Sequence, residues 1–289
     1  MGALDNLADL LGPIVTYTIV FIGTIKLLGW IYYTSSFIKK FAFTWPLDIM
    51  ERYSGKDTWC VITGASDGIG AETARKFAGL GFNCCLISRT TNKLKSVEAE
   101  IKKINPKVKT KLITANFFGK NSIEFYKDLV SQVKDLDISL VYINAGIMPS
   151  GHQINMPVEV MQHLLDVNVY HYTMLHKLFL PMLLERTKQG KRSWLCGTAS
   201  VTWLGYARPF VHYTATKGYD GYLSTAVNYE LKRMGKRADG ADPNLIDLHC
   251  STPMGVGTNL VKPPIKERVW IYFTHRPSSY VDALHKDMG

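Results

Sequence analysis

The sequence predicts an α/β fold: a doubly wound parallel sheet with helices on both faces, preceded by an N-terminal membrane helix or hairpin. Three observations predict it. Apolar runs alternate with amphipathic stretches from residue 56 onward, a glycine-rich loop joins the first run to the first stretch, and residues 12–37 are apolar with Lys26 as their one charge. Strands that are apolar on both faces need helices above and below, which is the situation of a parallel sheet in βα units. Right-handed crossovers wind such a sheet outward from its centre in both directions.

The chain has 289 residues and divides by composition into an N-terminal anchor (1–45), a linker (46–55) and a domain (56–289). About 20 apolar residues cross a bilayer as a helix. The first apolar run therefore reads either as one span, roughly 13–33, or as a hairpin broken near Gly23–Gly29. Asp5 and Asp9 precede the run where a secretory signal would carry basic residues. Lys39 and Lys40 follow it and place the large domain on the cytosolic side, or in the matrix if the membrane is the inner mitochondrial one.

After the linker, strands are expected at 58–63, 83–88, 109–115, 138–143, 192–198 and 245–250. Helices are expected between them at 68–80, 92–104, 121–134, 157–186 and 212–235. This order is Rossmann-like. The five cysteines all fall in strand-like apolar runs, with neither CxxC pairing nor zinc-ligand spacing, so they read as reduced core residues and no metal site is expected. The net charge of +10 belongs to the domain, because Lys26, Lys39 and Lys40 cancel Asp5, Asp9 and Asp48. Such an excess suits a phosphate-bearing ligand or an anionic membrane surface. No motif that interleaves aromatic and basic residues accompanies it, so nucleic acid is not an expected partner.

The glycine loop, Gly64-Ala65-Ser66-Asp67-Gly68-Ile69-Gly70, joins the first strand to the first helix. Gly64 allows the tight turn, Gly68 lets the backbone approach a pyrophosphate, and Gly70 lets helix pack on strand. The helix N-terminus favours the phosphates. The second strand ends in Ser88-Arg89, where an NAD-selecting site would carry an acid for the ribose hydroxyl. A carboxylate would repel a 2′-phosphate and a guanidinium would hold one, so the cofactor expected is NADP(H).

Tyr213 and Lys217 stand four apart at the start of a helix and share one face. With 15 tyrosines, about one such pair arises by chance, so the context carries the weight. Ser200 lies at the end of the preceding strand, and ligands of such sheets bind beyond the strand ends. Hydride transfer to a carbonyl leaves an alkoxide that needs a proton. A phenol supplies one near neutrality only if its anion is stabilised, which Lys217 would do. Ser200 can orient the carbonyl oxygen, and Asn168 can hold a water on the proton path.

The glycine loop, Asn144-Ala145-Gly146, Asn168, Ser200, Tyr213 and Lys217 together resemble the short-chain dehydrogenase/reductase family over about 55–260. Leu86-Ile87-Ser88-Arg89-Thr90 and Leu180-Pro181-Met182-Leu183-Leu184-Glu185-Arg186, with the apolar N-terminus, look most like its membrane-bound very-long-chain 3-oxoacyl-CoA reductases and 17-beta-hydroxysteroid dehydrogenases. The resemblance implies reduction of a ketone on a hydrophobic substrate, an acyl-CoA thioester or a steroid, in the endoplasmic reticulum membrane. Tyr213 would be the acid, Lys217 the ribose ligand, Ser200 the carbonyl anchor and Asn168 the relay. Asn116 would hold the adenine, and Asn144, Ala145, Gly146, Pro253 and Thr258 would complete the cofactor site.

Four features depart from the family pattern. Asn116 stands where Asp is usual, Ile143 replaces an asparagine, Arg237–Asp242 reads as a polar insertion, and the relatives continue past the position of Gly289. Segment 252–268 reads as the substrate loop. The departures keep a second role open: a structural subunit of a large membrane complex, respiratory among others, that retains bound NADPH, with Trp270, Tyr272 and Phe273 as contacts to a membrane-protein partner or a second copy.

Overall fold

A computed structural model of the chain describes residues 2–42, 48–53, 57–120, 122–205 and 208–254. Thr258, most of the expected substrate loop and the aromatic segment 262–289 lie outside the described residues. Two units separate, 1–46 and 47–288.

In the first unit α1, Gly2–Ala42, is a continuous helix. Its segment Leu11–Ser35 is 25 residues long with mean hydropathy 1.8, or about 37 Å at the rise of an α-helix. That is long and apolar enough to cross a bilayer. Thr16, Thr18 and Thr24 return their hydroxyls to carbonyls four residues earlier, so they present little unmet polarity. The helix runs through Gly23 and Gly29, so the structure has no hairpin there: a glycine inside a helix costs roughly 1 kcal/mol and does not by itself break it.

The second unit carries a six-stranded parallel sheet in the order β3-β2-β1-β4-β5-β6. Its elements, in chain order, are α2 (Ile49–Tyr53), β1 (Trp59–Thr63), α3 (Gly68–Leu80), β2 (Asn83–Ser88), α4 (Thr91–Ile104), β3 (Thr110–Thr114), α5 (Ile123–Ser131) and β4 (Ile138–Ile143). Then follow α6 (Val158–Leu164), α7 (His171–Thr187), β5 (Ser193–Thr198), α8 (Val211–Met234) and β6 (Ile246–Ser251). The expected strands and helices match within a few residues, with one difference. The long helix expected over 157–186 is α6 and α7 joined through a π-helical segment, Leu165–Tyr170.

Side chains alternate across the strands, and each face has its own core. Val61, Cys85, Ile87, Val141 and Leu195 pack with Tyr126 and Leu129 of α5 and Tyr172, Leu175, Phe179 and Leu183 of α7. Cys60, Ile62, Cys84, Leu86, Tyr142 and Trp194 pack on the other face with Ala74 and Phe77 of α3 and Leu94 and Ile101 of α4. Burying a side chain such as Phe77 contributes about 1.5–3 kcal/mol. All five cysteines are free thiols, four of them buried.

The stretch read as a linker contains α2, whose Ile49 and Tyr53 are buried in the second core. Tyr53 Oη donates to Asp247 Oδ2 at 2.9 Å, and Arg52 Nη2 meets the same oxygen at 2.9 Å. Arg186 Nη2 donates to Tyr53 O at 3.0 Å. Residues 49–53 therefore belong to the domain. The polar insertion is a tied turn: Arg237 N bonds Ala241 O at 2.8 Å, and Asp242 N bonds Thr187 Oγ1 at 2.9 Å.

Candidate active site

The sheet order reverses between β1 and β4, and ligand crevices form beyond the strand ends at such a reversal. The glycine loop leaves β1 here. Gly64 (φ +66°) and Gly68 (φ +54°) take left-handed conformations that other residues adopt only under strain. A β-carbon at Gly64 would lie 2.9 Å from Ala145 Cα, and one at Gly70 would collide with Gly64 O and Asn144 Nδ2. Helix α3 opens on Asp67, whose Oδ1 accepts from Gly68 N at 2.7 Å, and closes on Gly81 at φ +104°. The N-terminus of α3 and the bare backbone of the loop form a cradle that fits a dinucleotide pyrophosphate.

Thr63, which the sequence reading did not single out, locks this loop to the end of β4. Its Oγ1 accepts from Asn144 N and Ala145 N, each at 3.0 Å, and its carbonyl accepts from Asn144 Nδ2 at 3.2 Å. A β-carbon on Gly146 would lie 3.5 Å from Asn168 Oδ1 and 3.7 Å from Lys217 Nζ. Asn144 Oδ1 in turn accepts from Thr198 Oγ1 at 3.4 Å, and Thr198 O accepts from Lys217 Nζ, so hydrogen bonds link Thr63 at the glycine loop to Lys217 through Asn144 and Thr198.

At the end of β2, Ser88 is buried and its hydroxyl lies 2.7 Å from Ser66 Oγ, while Arg89 is exposed. Lys93, one turn into α4, pairs with Asp67 Oδ2 at 3.2 Å. Ser88 and Arg89 thus occupy the end of β2, where an acid would select the unphosphorylated ribose, and Lys93 reaches the same loop as the partner of Asp67. Asn116, past the end of β3, is exposed and its Oδ1 accepts from Phe118 N at 3.3 Å. Ile143 is buried and pairs with Gly197 of β5, so an apolar core contact stands where the family pattern has an amide.

Asn168 sits in the π segment, a distortion frequent at functional sites. Its Oδ1 accepts from Ile147 N at 2.9 Å, and its Nδ2 donates to Ile147 O at 3.0 Å and Thr216 Oγ1 at 3.1 Å. It therefore clamps the loop after β4 to α8. Ser200 follows β5 with extended backbone, and its Oγ accepts from Thr202 N at 3.3 Å. Pro253 O accepts from Val201 N at 3.2 Å, which ties the start of the segment after β6 to the same loop.

Tyr213 and Lys217 lie in the first two turns of α8, both buried. Lys217 Nζ is 5.8 Å from the centre of the Tyr213 ring. It donates to Thr198 O at 2.6 Å and to Asp220 Oδ2 at 2.9 Å. Burial alone would lower the lysine, but the charges of Asp220 and Tyr213 overcome it and hold the ammonium above its usual value. Burial pushes Asp220 up to about 6, against the pull of Lys217. Thr198, Thr216 and Asp220 went unrecognised in the sequence. The i, i+3 spacing of Asp220 from Lys217 was visible there, but its burial was not.

A family model described as short chain dehydrogenase matches residues 58–263. A very-long-chain 3-oxoacyl-CoA reductase of Ajellomyces capsulatus is 31% identical over 209 residues, covering 71% of this chain and 59% of that protein. One of the same name from Coccidioides immitis is 31% identical over 195 residues, covering 66% of this chain and 54% of that protein. The chain thus spans only somewhat more than half the length of these two relatives. Among solved structures, a short-chain dehydrogenase from Sphingobium yanoikuyae in complex with NADPH superposes with a TM-score of 0.65 at 23% identity, covering 78% of this chain and 82% of that one.

Proposed function

The chain belongs to the short-chain dehydrogenase family, and on that premise we propose that it reduces the ketone of a 3-oxoacyl-CoA thioester with NADPH, using Tyr213 as the acid. The observation that carries the reading is the buried Lys217 ammonium beside the Tyr213 ring, joined by hydrogen bonds through Thr198 and Asn144 to Thr63 at the glycine loop. Similarity to the fungal very-long-chain 3-oxoacyl-CoA reductases supports the substrate class.

The glycine loop and the N-terminus of α3 would hold the pyrophosphate, Arg89, with Lys93 beside it, the 2′-phosphate, and Lys217 the nicotinamide ribose. Bound NADPH supplies hydride equivalents for the carbonyl carbon. Ser200 Oγ already accepts from Thr202 N, so its hydroxyl hydrogen is the part left to orient the carbonyl oxygen. The Tyr213 phenol hands its proton to that oxygen as negative charge develops on it, and the adjacent ammonium stabilises the phenolate that remains. Both Asn168 amide hydrogens are engaged and Oδ1 already accepts from Ile147 N, so a water that returns the proton would donate to the second lone pair of Oδ1.

The apolar helix α1 anchors the protein in a membrane, with the catalytic unit on the cytosolic face of the endoplasmic reticulum. Exposed Ile154, Val158, Leu204, Val211 and Met254 all follow the C-terminal ends of β4, β5 and β6. These segments leave the sheet on the side where such folds bind ligands, and exposed apolar side chains there would suit an acyl chain.

The test is NADPH oxidation by the full chain in detergent with a 3-oxoacyl-CoA, alongside Tyr213→Phe. Turnover that falls at least about a hundredfold in the variant supports the reading. Tight NADPH binding without turnover rejects the substrate class and favours a scaffold role.

A further inference from the structure

Asp220 is 0% exposed, and one of its carboxylate oxygens sits on Lys217 Nζ at 2.9 Å. Its other oxygen, Oδ1, is buried without a hydrogen-bond partner among the described residues. A carboxylate buried this deeply is costly unless it answers a charge. Among the described residues the charge it answers is the ammonium that stands beside the proposed acid. Among the described residues that ammonium also meets the neutral Thr198 carbonyl and the face of Tyr213.

We propose that Asp220 is a positioning residue for Lys217: its carboxylate fixes the direction of the ammonium and keeps it charged inside the site, and so sets the alkaline limit of the enzyme. This rests on the reading of Lys217 as ribose ligand and partner of Tyr213. A lysine with no counter-ion in a buried site loses its proton at lower pH, because burial disfavours the charged form. Without its proton it can neither stabilise a phenolate nor contribute charge to an anionic cofactor.

Other titratable groups face the pair from each neighbouring element. Tyr213 lies on α8 itself, Cys250 comes from β6, and His171 and Tyr172 come from α7. Burial raises the Cys250 thiol and the Tyr172 phenol, and lowers His171 to about 3. Around neutral pH these three are uncharged, which leaves Asp220 as the anion that balances Lys217. Tyr172 Oη is engaged with Ser224 Oγ at 2.6 Å, one turn beyond Asp220, so Ser224 offers a nearby control that carries no charge.

The test compares the full-length native chain with Asp220→Asn, which keeps the shape and removes the charge, and with Ser224→Ala. NADPH affinity is read by fluorescence against pH without substrate, and kcat/KM for reduction is read over the same range. In Asp220→Asn both alkaline limbs should move at least one pH unit lower, and in Ser224→Ala neither should move. A profile that falls in height but keeps its limbs would reduce Asp220 to a packing residue and overturn the proposal. If Asp220→Asn does not fold, Asp220→Ser removes the same charge without adding volume and must show the same displacement. A chain that binds NADPH but reduces no 3-oxoacyl-CoA overturns the substrate reading alone, and the binding profile then decides Asp220. A chain that binds no NADPH overturns both.

Discussion

Tyr172 of α7 fills the space that a side chain on Gly197 of β5 would need. Its ring packs in the core and its hydroxyl lies 2.6 Å from Ser224 Oγ on α8, so one residue of α7 joins the sheet to the helix that carries Tyr213 and Lys217. Gly197→Ala must push this ring out of its place. Overpacking in a close-packed core costs about 1–3 kcal/mol, and the displaced hydroxyl would break its bond with Ser224. Urea unfolding of the variant should show that loss, with NADPH affinity reduced through movement of α8. An unchanged midpoint would mean that α7 shifts freely against β5.

Asn168 holds Ile147 through both of its backbone groups. Asn168→Ala leaves a buried donor and acceptor unmet at about 1–3 kcal/mol, and it releases the loop after β4 from α8. The expected result is a lower denaturation midpoint with a larger fall in kcat than in NADPH affinity. Equal falls in both would show that the residue acts only through cofactor binding.

Cofactor preference is tested at Arg89. Exchanging its charge in Arg89→Asp places an acid at the end of β2, where the ribose 2′-hydroxyl would be met. Charge-assisted hydrogen bonds contribute about 1.5–3 kcal/mol, so NADPH affinity should fall roughly ten- to a hundredfold while NADH affinity holds or improves. If NADH binding weakens by the same factor, Arg89 supports the loop rather than the phosphate.

These predictions rest partly on residues that the sequence made legible and partly on residues it did not. Strands such as Cys60–Ile62 and Leu140–Tyr142 announce themselves because burial on both faces leaves no polar positions. The loop Gly64–Gly70 does so because its backbone tolerates no side chain. Helix α2 was hidden because five residues are too few to show a period, and its place is fixed by distant partners, Asp247 and Arg186. The π segment was hidden because one extra residue per turn changes the phase of a helix without changing its composition. Asp220 was hidden for another reason: an acid three residues after a lysine is the ordinary pattern of an exposed helical pair, and only the packing of α8 against β5 and β6 turns it inward.

The last prediction concerns acid. Burial lowers His171 to about 3 and His176 to about 4, against an ordinary value of 6.5. Both are held neutral inside α7, and their Nε2 atoms are buried without partners among the described residues. A base depressed in this way favours the fold fully above its unfolded value. That contribution is lost progressively as pH falls from 6.5 toward the folded values, because the unfolded chain then binds the extra protons. Asp220 acts oppositely: raised to about 6 from 3.8, it takes up a proton in the folded state first and offsets one histidine between about pH 6 and 4. From these three groups the net slope in that window is about one proton, or roughly 1.4 kcal/mol per pH unit, and His163, also lowered by burial, acts in the same direction. Urea midpoints measured from pH 7 to 4.5 should fall accordingly. His176→Leu, which removes one of the two bases from an apolar setting, should flatten the slope. Asp220→Asn, which removes the offset, should steepen it. A slope that ignores both substitutions would place the acid sensitivity elsewhere in the domain.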